Sequence, residues 1–133
     1  MSQPHVCALD HLVLTVASIP PTLAFYERAL GMQATAFETA TAQRRWALAF
    51  GRSKINLHEA GREFEPKARR PTAGSADLCF LTDVARVNWI NHLDAEQISI
   101  EEGPVDRTGA QGPLQSIYIR DPDQNLIEIA VQS

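Results

Sequence analysis

The sequence predicts an α+β domain of two tandem βαβββ modules, residues 8–60 and 75–132, whose strands form a curved mixed-sheet cup with the helices on its outer face. Three observations lead there. The order strand, helix and three strands can be read twice, at roughly sixty residues per copy. The two opening strands carry a metal-competent side chain at the same position, His11 in the first copy and Asp77 in the second. Finally, five strands alternate so that their large aliphatics share one face and their polar side chains the other.

In the first module, Leu9 to Val16 reads as a strand with Leu12, Leu14 and Val16 on one side and His11, Val13 and Thr15 on the other. Ser18 followed by Pro20 and Pro21 signals a helix start, Leu23, Tyr26 and Leu30 recur at helical spacing, and Gly31 ends it. Gln33 to Glu38, Arg45 to Phe50 and Lys54 to His58 follow as strands, the last two joined by the Gly51-Arg52-Ser53 turn. Glu59 to Ser75, with Pro66, Pro71, Gly61, Gly74, Arg62, Lys67, Arg69 and Arg70, reads as an exposed inter-module loop.

The second module opens with a strand from Ala76 to Leu81, and Thr82-Asp83 is expected to cap a helix bearing Val84, Val87, Ile90 and Leu93. Strands are then expected at Ile98 to Glu101, Gln115 to Arg120 and Leu126 to Val131, the last two joined by the turn-forming run Asp121-Pro122-Asp123-Gln124-Asn125. Gly103 to Pro113, which includes Arg107, is expected to be a long covering loop.

Composition narrows the function. A chain of 133 residues can close one core, and a formal charge of −4 argues against a general nucleic-acid binder. No apolar run approaches a membrane span and the first residues lack a secretory pattern, so a cytoplasmic protein with no membrane partner is expected. Cys7 and Cys79 lack a Cys-x-x-Cys spacing and read as reduced thiols, Cys79 lining a pocket beside Asp77. His5 and His92 read as peripheral, and Trp46 and Trp89 as packing residues.

The alternation places His11, Asn56, His58, Asp77, Cys79, Ser116, Tyr118, Arg120 and Glu128 on the cup face. Acids and imidazoles converging there call for a cation, because a carboxylate removed from water needs compensation. A divalent metal (zinc, iron, manganese, nickel or cobalt) is the economical choice. The basic residues Arg44, Lys67, Arg69, Arg70 and Arg107 suggest an anionic small-molecule substrate.

The segments Asp10 to Val16, Phe25 to Met32 and Arg120 to Glu128, with Lys54 to Gly61 and Gly74 to Phe80, resemble the vicinal oxygen chelate superfamily of glyoxalases, bleomycin-resistance proteins, fosfomycin-resistance enzymes and extradiol dioxygenases. Within it the chain is most similar to small glyoxalase-domain-containing proteins, some labelled virulence proteins. The resemblance implies His11 and Glu128 as metal ligands, with Asp77 where a second histidine is usual and Asn56 where glyoxalase I members carry a ligand such as glutamate. Either Asp77 or His58 then completes the set. An amide at Asn56 argues against glyoxalase I chemistry, since it cannot take the substrate proton. The expected function is a metal-dependent enzyme of lyase, isomerase, transferase or dioxygenase type, with Glu128 and His58 catalytic and Asn56, His58, Cys79, Tyr118 and Arg107 on the substrate. The alternative is a metal-free protein that sequesters a small molecule. A homodimer is expected, and the long inter-module loop permits an exchange of modules in which each cup draws on two chains.

Overall fold

A computed structural model of the chain describes residues 3–133. Its elements run β1 (His11–Val16), α1 (Ile19–Leu30), β2 (Gln33–Glu38), β3 (Arg44–Phe50), β4 (Ser53–Glu59), β5 (Asp77–Thr82), α2 (Arg86–Ala95), β6 (Glu102–Gly109), β7 (Gly112–Arg120) and β8 (Leu126–Gln132). They form two four-stranded sheets, ordered β1-β4-β3-β2 and β5-β8-β7-β6. In each, the opening strand lies parallel to the last and at the sheet's edge, while the other pairs are antiparallel. The two copies therefore share one topology.

The aliphatic faces of both sheets and the buried sides of both helices merge into a single core. Leu14, Val16, Tyr26, Leu48, Ile55 and Leu57 of the first module join Leu93, Ile117, Ile119, Ile127 and Ile129 of the second. Phe50 meets Phe80 edge-on at 5.2 Å across the junction. Polar ties reinforce it. Tyr26 donates to Asp121 at 2.6 Å, and the His92 ring nitrogen bonds the Arg28 and Ala29 carbonyls at 3.0 and 3.1 Å, where the end of α1 leaves carbonyls unpaired. Burial of Tyr26, with the Asp121 carboxylate against its hydroxyl, pushes its pKa far above the ordinary range.

Local signals explain α1 well. Ser18 occupies the N-cap position with extended backbone, proline stands in the first turn, and Gly31 closes the helix at φ 68°, its N–H donating to the Glu27 carbonyl at 3.1 Å. The Ser18 side chain, however, makes no capping bond.

The second module departs from expectation in three places. Its helix begins at Arg86 with Ala85 at the N-cap, because Thr82 belongs to β5 and its hydroxyl accepts from the Val84 N–H at 3.1 Å and the Trp89 indole N–H at 3.0 Å. Val84 and Val87 are consequently exposed, and Leu93 is the buried side chain of the helix. Ile98 to Glu101 is not a strand: it packs Ile98 and Ile100 against the core and leads into β6. The span expected as a covering loop, Gly103 to Pro113, is the β6–β7 hairpin. Gly103 belongs to a strand and not to a loop. It has φ +114° at a register shift between Glu102 and Val105, and a Cβ there would stand 2.5 Å from the Ser116 carbonyl oxygen. Here glycine marks a bulge in a strand that crosses its neighbour too closely for a side chain.

Candidate functional site

Register turns the duplication into geometry. On β1 and β4, His11 pairs with Lys54 and Val13 with Asn56; on β5 and β8, Asp77 pairs with Leu126 and Cys79 with Glu128. Paired residues on neighbouring strands project to the same face. Asp77 is thus the structural counterpart of His11, Glu128 of Asn56, and each sheet holds one such pair at the same offset.

In the first module this face also carries Arg45, Ala47, Phe37 and Thr35, by the pairing of β2 with β3 and β3 with β4. The His11 imidazole is exposed and its Nδ1 bonds the Asp10 carboxylate at 2.8 Å, while its Nε2 has no protein partner among the described residues. Asn56 is buried, and its Oδ1 lies out of water with no partner among the described residues. His58 is 3% exposed because the inter-module segment folds back over it, Phe64 meeting the imidazole edge-on at 5.6 Å. The Arg45 guanidinium bonds the Nε2 of His58 at 2.8 Å and lies over the Phe64 ring, 4.5 Å from its centre. Burial, and then the Arg45 charge, hold the His58 pKa below its ordinary value against the pull of Glu63. A cavity of about 270 Å³ beside His58 is closed by Pro66, Lys67 and Pro71.

The second module is built differently on the same frame. Ser116 donates to Glu128 at 2.6 Å, and Arg107 donates through Nε to the Tyr118 hydroxyl at 2.9 Å while its Nη2 lies 3.5 Å from Glu102. Cys79 faces Glu128; burial and that carboxylate push the thiol up to about 11, so it stays protonated near neutral pH. Tyr118 is likewise raised, mainly by burial, with Arg107 pulling the other way. A cavity of about 300 Å³ opens here, lined by Cys79, Glu128, Leu81, Leu114 and the β6–β7 turn.

The structure therefore groups the sequence-predicted residues in two sets. Asn56 and His58 come together in one module, and Cys79, Tyr118, Arg107 and Glu128 in the other. It does not unite His11, Asp77 and Glu128 within one chain: among the described residues no three His, Cys, Asp or Glu side chains stand together as a metal-binding group. The physical reason is that both aliphatic faces share one core, so the two polar faces line separate cavities. Arg45, and not the Arg44 expected from the sequence, is the arginine that meets His58. Its signal was present: the strand alternation puts Arg45 on the polar face opposite His58.

A duplicated βαβββ frame with paired polar positions on its outward faces defines a class of two-module folds. The chain belongs to the Glyoxalase/Bleomycin resistance protein/Dioxygenase superfamily, whose family model matches residues 8–129. It is 57% identical over 122 residues to virulence protein STM3117 of Salmonella typhimurium, covering 92% of this chain and 82% of that one. It is 51% identical over 125 residues to glyoxalase domain-containing protein RDO1 of Mycosarcoma maydis, covering 94% and 68%. A solved structure from the mobile metagenome of V. pseudocholerae superposes with a TM-score of 0.93 at 52% identity, over 99% of both chains. At 17% identity, the fosfomycin resistance protein FosX of Listeria monocytogenes, crystallised with Mn(II), shares the fold with a TM-score of 0.63 over 97% of this chain and 93% of that one.

Proposed function

We propose that the chain is a glyoxalase-like, divalent-metal-dependent enzyme for a small oxygen-rich substrate, and that it works as a homodimer in which the first-module face of one protomer meets the second-module face of its partner. The observation that carries this reading is the matched offset of His11 with Asn56 and of Asp77 with Glu128. Each pair is half of a ligand set.

The residues suit a cation. Asn56 Oδ1 is an orphaned buried acceptor, and an acceptor left without a donor is costly unless something electropositive reaches it. Asp10 holds His11 by Nδ1 and so presents Nε2, the arrangement by which outer carboxylates orient ligating histidines. Asp77 and Glu128 supply carboxylates. His58 is the weaker candidate ligand, since its Nε2 is engaged by Arg45. Zinc, iron, manganese, nickel or cobalt, bound there, would supply Lewis-acid polarisation of a substrate oxygen.

Around that centre the chain's own groups have separable tasks. Ser116 fixes one Glu128 oxygen, leaving the carboxylate as the group that can accept a proton from the substrate. Tyr118, oriented by Arg107, offers a hydroxyl, and Cys79 as a neutral thiol shapes the wall. Three features support the two-chain arrangement: β1 and β5 are unpaired sheet edges, Val13 and Leu81 are 45% and 54% exposed on the polar faces, and the two faces differ in charge.

The experiment is metal titration of chelator-stripped protein with elemental analysis. A His11→Ala, Glu128→Ala double variant should lose at least about a hundredfold in affinity, on the order of 2.7 kcal/mol. Binding as tight as in the unmodified protein would overturn the site. A second reading, a metal-free sequestering protein, draws on the apolar side chains Leu81 and Leu114 in the second cavity; small-molecule binding unaffected by chelation and by the double variant would favour it.

A further inference from the structure

The Arg45 guanidinium has no acid within ion-pair distance among the described residues, its Nε is buried and unpartnered, and phenyl rings flank it: Phe64 at 4.5 Å and Phe37 at 5.7 Å. Cations removed from water are ordinarily paired. Here the nearest polar partner is instead an imidazole, and that contact dictates the ring's chemistry. A guanidinium can only donate, so the Nε2 of His58 must be the acceptor and the proton of the neutral ring sits on Nδ1. Nδ1 makes no hydrogen bond to protein among the described residues and is not among the sealed, unpartnered atoms. It is a donor left over for something else.

His58 lines the cavity beneath the inter-module segment, and so do Lys67 and Thr15. Every polar group on those walls can donate, none is acidic, and Val13, Pro66 and Pro71 supply an apolar surround. Two acids lie nearby, Glu65 as the present counterion of Lys67 and Glu63 close enough to act on both Lys67 and His58, but neither lines the cavity. The strands agree: of the first-module residues that share the His58 face, Arg45, Lys54 and His11 are the ionisable ones and none is an acid.

We propose that this cavity is a subsite for an anionic oxygen group, a carboxylate or phosphate carried by the substrate, held by the Nδ1–H of His58 and the ammonium of Lys67. Arg45 is a positioning residue: it fixes which nitrogen of His58 donates and adds positive potential behind it. The assignment deepens the enzyme reading by giving the substrate an anionic end, gripped on the same first-module face that offers His11 and Asn56 as half of the ligand set. At about 270 Å³ the space suits a small group rather than a large ligand.

The test uses chelator-stripped full-length protein, so that it does not depend on the metal site. Nitrogen-detected NMR of the imidazoles should show His58 protonated at Nδ1 and bare at Nε2, and Arg45→Met should shift it toward the other tautomer. Acetate and inorganic phosphate, titrated separately at constant ionic strength, should each give or withhold a saturable shift of His58 and Lys67, and the one that saturates names the group. Lys67→Ala, on an exposed segment, should weaken that binding about tenfold, while the His11→Ala, Glu128→Ala double variant should leave it unchanged. An Nε2–H tautomer in the unmodified protein, or shifts with neither anion that saturate, would overturn the proposal while leaving the metal reading standing.

Discussion

The two modules are copies in backbone and opposites in chemistry. They share strand order and the register of their parallel pairs and differ at the β6 bulge, yet the first presents Arg45, Lys54 and His11 on its polar face, with no acid, where the second sets Asp77, Glu128 and Glu102 among Arg107 and Arg120. The covers differ as well: a folded-back segment buries His58, whereas a hairpin turn borders the cavity of Glu128. Backbone pairing needs only main-chain donors and acceptors, so the frame survives replacement of the outward side chains. Those side chains are then free to diverge, and a duplicated fold becomes two unlike half-sites.

The largest expected effect comes from breaking the joint between the copies. Asp121 is buried and accepts from Tyr26, from the Asn125 side chain, and from the Asp123 and Asn125 N–H groups at 2.6 to 2.9 Å. Asp121→Ala strands those donors and should cost about 3 kcal/mol or more, measured by urea denaturation; a loss below about 1 kcal/mol would show that the modules do not depend on this tie.

Next in size is the division of each cup between two chains. His11→Ala protein mixed and refolded with Glu128→Ala protein should recover tight metal binding in about half of the heterodimer's sites, because one of its two cups then receives both intact faces. No recovery, or a monomeric mass by light scattering at micromolar concentration, argues that the faces do not meet this way. A smaller change is expected for Asp10→Asn, which weakens the orientation of His11 and should lower metal affinity by about tenfold in a competition titration.

The smallest effect sharpens the contrast at His58. An unfolded histidine titrates near about 6.5, and in the folded chain burial holds His58 below that. Between those two values the unfolded state binds more protons, so stability should fall as pH drops below about 6.5 and be flat in this respect above it. In His58→Gln that component of the decline should vanish, checked by denaturation midpoints across the window.

Much of this was legible without coordinates. Alternation in Lys54 to His58 and Leu126 to Val131 assigned both faces of β4 and β8, and the Pro20 and Gly31 signals bounded α1 correctly. The second module was harder, since Gly103 and Pro104 look like loop residues and Thr82-Asp83 like a cap, although a bulge and a side-chain bond to Trp89 are their actual uses. The bulge depends on a strand-pair neighbour, Ser116, and the Thr82 bond on a side chain one helix turn into α2. Arg45 is the same case at the site: its partner His58 lies across a strand pair, and its flanking Phe64 on a segment that folds back.

The order of apolar and polar side chains by itself determined the duplicated strand-helix plan and the polar face of each strand, because period and spacing are local properties of a chain, and the resemblance of its segments pointed to the family. Only the tertiary structure decided that the greasy faces of both copies close on one another. Once they do, His58 and Glu128 line different cavities, and the imidazole of His58 takes its tautomer from a guanidinium on the neighbouring strand, a contact that alternation allows and only the packing of the segment carrying Phe64 fixes.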